Sequence, residues 1–169
     1  GIFIFLSLIL FYNHFDFLLL SFSLLILSLG IVSDLKFIKS ANIRLLIQVF
    51  IVLFYIFISD LQITDTRLYF LDEILKIKYF NYLFVAFCIL ILINGSNFFD
   101  GLNTLNIGYF LSISIIINYL VLRNIIFVDE NYIFKYLALI LIFAYILNFT
   151  NKFFLGDSGS YLLGFLFSI

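Results

Sequence analysis

Seven stretches of almost uninterrupted apolar residues run along the chain, at 1–12, 17–32, 43–58, 82–93, 105–122, 133–147 and from 161 to the last residue. In lipid a helix satisfies its own backbone hydrogen bonds, whereas an irregular segment or an open sheet edge cannot, so runs of this kind fold as helices. They lack the polar face of a helix lying on a water-soluble core. Stretches such as FLLLSFSLLILSLGIV do not alternate between apolar and polar residues, which excludes a transmembrane β-barrel. The expected fold is all-α, a polytopic transmembrane helix bundle of about seven spans. Several runs are shorter than the ~20 residues that cross a bilayer, and flanking Tyr, Asn and Ser extend them into the headgroup zone.

Composition agrees. Hydrophobic residues make up 65% of the 169 and charged residues 11%, with mean hydropathy +1.24, too little polar surface for a soluble domain. The lipid bilayer is the expected surrounding. Net charge is −1 and the Lys and Arg residues are dispersed, so nucleic acid is not an expected partner. Cys88 lies inside an apolar run and reads as a small buried hydrophobe. Residue 1 is Gly, Met is absent, and the last run stops at Ile169, which suggests one integral-membrane domain over 1–169, truncated at both ends. The first run has no basic start or small-residue cleavage site, so it reads as the tail of a span rather than a signal peptide.

Polar residues collect in six connections, at 13–16, 33–42, 59–81, 94–104, 123–132 and 148–160. Each span switches sides, so the second, fourth and sixth connections share one face of the membrane. They carry Asp34, Asp100 and Asp157, and parity alone therefore places three carboxylates at one rim. Basic residues do not orient that rim, because Lys36, Lys39, Arg44 and Lys152 on it are balanced by Arg67, Lys76, Lys78, Arg123 and Lys135 on the other.

Each of the three connections has residues suited to phosphate chemistry. In NGSNFFDGLN, Asn94, Asn97 and Asp100 recur every third residue and project along one side of a helix end, which indicates a wet cavity near the interface. In LGDSGS, the small residues Gly156, Ser158 and Gly159 around Asp157 let backbone amides approach a ligand, and the positive end of a following helix favours phosphate. In SDLKFIKSANIR, Asp34 ends a span and suits a hard cation, with Lys36 and Arg44 placed for a phosphorylated substrate. Taken singly, each segment also reads as a helix cap or solvated turn.

Together, in this order and with spans between them, the three segments resemble the polyprenyl-phosphate N-acetylhexosamine-1-phosphate transferases, glycosyl transferase family 4, which include the phospho-N-acetylmuramoyl-pentapeptide translocases. NGSNFFDGLNTL resembles the family's Asn-Asn-Asp-Gly loop, LGDSGSYLLG its Gly-Asp-x-Gly-Ser loop, and SDLKFIKSANIRLLIQ its first acidic loop. The resemblance implies a Mg²⁺-dependent phosphoglycosyl transferase of a bacterial inner membrane, with the motif loops on the cytoplasmic face. Its substrates would be a UDP-N-acetylhexosamine and undecaprenyl phosphate, and its pathway envelope polysaccharide synthesis; a homodimer is left open. On this resemblance Asp157 is the metal ligand, joined by Asp100. Asp100, Asn94 and Asn97 shape the nucleotide and metal site, and Asp34 orients the lipid phosphate or acts as base. Three positions depart from the family pattern: Ser33 stands where an aspartate commonly precedes Asp34, Asn103 where many members have Asp, and Asn42 where a basic residue is common. The rival expectations are a transporter or channel, which calls for polar residues in mid-span, and a catalytically inactive family member, motivated by Ser33 and Asn103.

Overall fold

The computed structural model describes residues 1–10, 16–100, 104–126 and 131–169. All regular structure among the described residues is helical: α1 (Ile2–Leu10), α2 (Phe17–Asp34), α3 (Ala41–Ser59), α4 (Tyr69–Leu75), α5 (Lys78–Phe99), α6 (Leu105–Leu122), α7 (Asn131–Phe149) and α8 (Gly156–Leu166). Among the described residues each apolar run forms a helix over most of its length, as the hydropathy pattern requires. By length and composition α2, α3, α5 and α6 can each cross a membrane, and α7 contributes a shorter apolar stretch. The 22 residues of α5 extend about 33 Å at 1.5 Å per residue, enough for a hydrocarbon core of about 30 Å. Phe50, Phe54, Phe57, Leu83 and Phe87 are all more than half exposed on α3 and α5. Such a surface is stable against lipid and not against water, and the chain is a multi-pass membrane helix bundle.

Several boundaries differ from the sequence expectation, among them that of α8, which begins at Gly156 inside the connection expected at 148–160. The connection expected at 94–104 begins later, because α5 continues through Asn94 and Asn97 to Phe99. Both amides are therefore helical side chains on the wall below the rim. The connection at 59–81 is not loop throughout, since α4 forms within it.

Helix α8 is the innermost element, buried from Ser158 to Leu166. Leu162, Leu163 and Leu166 join a cluster with Ile4, Leu27, Phe110 and Leu141, while Tyr161 and Phe165 join a second with Ile26, Val52, Tyr55 and Ile89. Apolar side chains gain no hydrophobic free energy on moving from lipid to protein, so packing geometry decides how these helices associate, and small residues let backbones approach. Gly30 supplies the approach of α2 to α8: a Cβ there would stand 2.3 Å from Ser158 Cα. Gly164 supplies that of α8 to α5, where a Cβ would stand 2.6 Å from Ile93 Cα.

The rim opposite the three aspartates is closed by side chains. Asp60 ends α3 in the left-handed region, φ 52°, which Asp tolerates better than most residues. Tyr82, Lys78 and Gln62 all donate to its Oδ1. These hydrogen bonds, that of Tyr82 foremost, hold the Asp60 carboxyl well below the usual carboxylate range, down to about 2. Asn81, 2% exposed, accepts from Ile63 N at 3.0 Å and donates to the carbonyls of Ile63 at 2.8 Å and Leu75 at 2.9 Å. Replacing it with Leu leaves three backbone groups without a partner, at about 1–3 kcal/mol for each that stays buried. Asn81→Leu is expected to speed tryptic cleavage at Arg67 and Lys76 about tenfold or more through local opening. An unchanged cleavage rate would show that Asn81 does not hold this connection.

Candidate active site

Asp34 is the last residue of α2, and Lys36, at φ 60°, turns the chain away behind it. A helix N-terminus presents unpaired amides and a positive dipole end. Asp34 answers both features for α8, accepting from Asp157 N at 2.8 Å on Oδ1 and from Ser158 N at 3.1 Å on Oδ2. The residue that could cap locally is Leu155, which has no side-chain acceptor. Gly156 takes φ +66°, and a Cβ there would stand 2.9 Å from Asp34 Oδ2, so glycine is required both by its backbone and by the carboxylate beside it.

The Asp157 side chain turns towards α2 and α3. Its Oδ2 accepts from Ser33 Oγ at 2.5 Å and from Arg44 Nη1 at 2.7 Å, and the same guanidinium nitrogen reaches Ser33 Oγ at 2.5 Å. The pair is only partly exposed, 23% for the Arg44 side chain and 25% for that of Asp157. Screening by water is therefore weaker than for a surface ion pair, and both hydrogen bonds to the carboxylate belong to the stronger, charge-assisted class.

Asp100 follows α5 as its C-cap. Burial, and next the negative charges of Asp157 and Asp34, push its carboxyl above the usual range, while a hydrogen bond from the Gly156 backbone works the other way. Asp100 also lines a polar cavity of about 30 Å³ with Thr104, Asn106 and Asn148. All three carboxylates thus meet around the Gly156–Ser158 backbone, as parity requires. Below them, Asn97 Nδ2 reaches Tyr161 Oη at 3.4 Å, and Asn94 Nδ2 donates to Gln48 Oε1 and to Leu90 O, each at 2.9 Å.

The remaining expected site residues divide. Arg44 is in the cluster. Lys36 is exposed, and its side chain makes no hydrogen bond or ion pair with the described residues. Ser158 and Gly159 are buried beneath the rim, and their amides are engaged by Asp34 Oδ2 and Leu155 O, so only Gly156 of the three small residues stays partly open. Gly101 and Asn103 lie outside the described residues. Among the described residues no three acidic, His or Cys side chains close on one point as a protein-only cation cage would require.

Sequence reasoning passed over Gln48, Tyr161, Asn106 and Asn148. Gln48 lies one helical turn beyond Arg44, and Tyr161 one turn beyond Asp157, so the i, i+4 rule places each on the face of a residue already singled out. Asn106 Nδ2 donates to Ser96 O at 2.8 Å, and Ser96 Oγ to Ser160 O at 2.8 Å, joining α5, α6 and α8 beneath the site. Asn148 accepts from Thr104 N and donates to Phe153 O, each at 2.7 Å, tying together the two motif connections.

The sequence model for glycosyl transferase family 4 matches residues 17–169, a stretch that includes all three acidic segments. No curated protein and no solved structure matches the chain.

Proposed function

Since the chain belongs to glycosyl transferase family 4, we propose that it moves a phospho-N-acetylhexosamine from a UDP-sugar onto undecaprenyl phosphate and releases UMP, in bacterial envelope polysaccharide synthesis. The observation that carries this reading is the meeting of Asp34, Asp100 and Asp157 around one helix N-terminus, at one end of the bundle. A polyprenyl chain cannot leave the bilayer and a UDP-sugar cannot enter it, so their reaction belongs at such a rim. We place this rim on the cytoplasmic side of the inner membrane, where the UDP-sugar is made.

In the reaction an oxygen of the lipid phosphate attacks the β-phosphorus of the UDP-sugar. A new P–O bond forms to the lipid, the bond from that phosphorus to the oxygen bridging it to the α-phosphate breaks, and UMP leaves with the electron pair. Such transfers depend on positioning and on neutralising charge. Mg²⁺ is commonly held by one or two carboxylates together with substrate phosphates, and Asp157 and Asp100 supply that donor set; bound there it would neutralise charge on the diphosphate. Arg44 brings a fixed positive charge beside the same point. Asp34, both of whose oxygens accept α8 amides, is better suited to holding the Gly156–Ser158 turn against the substrate than to taking a proton. Asn94 has both amide hydrogens engaged, so it offers an incoming ligand only its carbonyl oxygen.

The test is UMP release by the intact membrane-embedded protein in nanodiscs, given a UDP-N-acetylhexosamine, undecaprenyl phosphate and Mg²⁺. Release that requires both substrates is the expected result. Solute flux without UMP would establish the transporter instead, and lipid-phosphate binding without UMP would establish an inactive family member.

A further inference from the structure

Ser33 has no role in the reaction just described, yet it is buried, at 7% exposure, and bonded to its central carboxylate. Ser33 comes from the end of α2 and Asp157 from the first turn of α8, so the two are far apart in sequence. A serine hydroxyl has one hydrogen and two lone pairs, and a guanidinium has only hydrogens to give. Arg44 Nη1, 2.5 Å from Ser33 Oγ, must therefore donate to it, leaving the hydroxyl hydrogen for Asp157 Oδ2 at 2.5 Å. Three helices, α2, α3 and α8, thus send side chains into one hydrogen-bonded cluster that ends on Asp157.

The geometry has a directional consequence. Two donors occupy Oδ2 of Asp157, from Ser33 and from Arg44, while Oδ1 takes no hydrogen bond from the described residues. A carboxylate fixed in this way by one oxygen presents the other in a single orientation. Without the serine hydroxyl, Arg44 alone would hold Oδ2, and a single contact from a long, flexible side chain leaves the carboxylate free to rotate.

We propose that Ser33 is a positioning residue for the transfer, setting the orientation of Asp157 beside Arg44. The inference rests on the functional reading above. It assigns to the serine a constructive part in the site, where the motif comparison treats it as a missing carboxylate.

The experiment measures UMP release and thermal melting for wild type, Ser33→Ala and Ser33→Cys. Supporting groups of this kind commonly contribute 10- to 100-fold, so Ser33→Ala is expected to lower kcat by about that factor with KM for the UDP-sugar within about threefold of wild type. A merely structural role for Ser33 would move the melt and not divide kcat from KM in this way. Ser33→Cys, close to serine in shape but a much weaker donor, carries the test by itself should Ser33→Ala not fold, an unchanged kcat then counting against the proposal. A wild-type protein that turns over while Ser33→Ala stays within twofold of it, or a loss that falls on KM with kcat unchanged, would overturn the positioning role and leave the transferase reading intact. A wild-type protein that releases no UMP removes both.

Discussion

Asp157→Asn is expected to reduce UMP release by about 100- to 1,000-fold or more, the range seen when a group that stabilises transition-state charge is lost, while the bundle stays folded. The reason is local. The Ser33 hydroxyl and the Arg44 guanidinium both donate towards Oδ2 of this side chain, so an amide there must turn its oxygen to them and its NH₂ outward. Where the native site offers a cation or a polar ligand a negative oxygen, the variant offers hydrogens. The Asp34 cap on α8 is made through the Asp157 and Ser158 backbone amides and survives the change. Weakening of the Arg44 pair should lower stability by at most about 1.5–3 kcal/mol, the scale of a hydrogen bond to a charged group. Turnover within tenfold of wild type, measured at saturating Mg²⁺ on protein with a near-native melt, would remove Asp157 from the centre of the mechanism.

Gly30→Ala is expected to cost nearly as much activity although Gly30 has no polar side chain and no part in the chemistry. Its Cβ would lie 2.3 Å from Ser158 Cα, 2.7 Å from Ser158 N and 2.9 Å from Asp157 O, all of them backbone atoms that no rotamer change can move aside. Relief requires α2 and α8 to separate, which draws the Asp34 carboxylate away from the amides it caps. Overpacking of this kind costs about 1–3 kcal/mol, and displacement of a reacting group by about 1 Å can cost about 100-fold in rate. Gly95→Ala provides the comparison for stability: a Cβ there meets nothing within 4 Å, and Ala is the better helix former by about 1 kcal/mol. Its melt should be unchanged or raised. An unaltered melt and rate in Gly30→Ala would mean that the α2–α8 contact is looser than the packing indicates.

The two variants mark where the sequence was legible and where it was not. Asp157 was visible from LGDSGS, because small residues around an acid at the head of an apolar run have few uses. Gly30 looked like one more small residue inside a span, and its importance comes from Ser158, 128 positions later, across a helix contact that hydropathy does not encode. Ser33 was legible only as a departure from a motif; its hydrogen bond reaches a residue 124 positions away. Gln48, 0% exposed and bonded to Asn94, was concealed by the apolar run around it.

What the sequence determined by itself was the helical class, the membrane as solvent and the common rim of Asp34, Asp100 and Asp157. The physical reason is that lipid permits an isolated apolar segment one hydrogen-bonded form, and each crossing reverses sides, so counting is enough. Tertiary structure alone decided which oxygen faces which donor: Asp34 onto the head of α8, Ser33 and Arg44 onto Asp157, Gln48 onto Asn94. Those contacts depend on how far each helix is rotated and how closely its backbone approaches its neighbour, and both are set by packing at Gly30 and Gly164 rather than by any pattern along the chain.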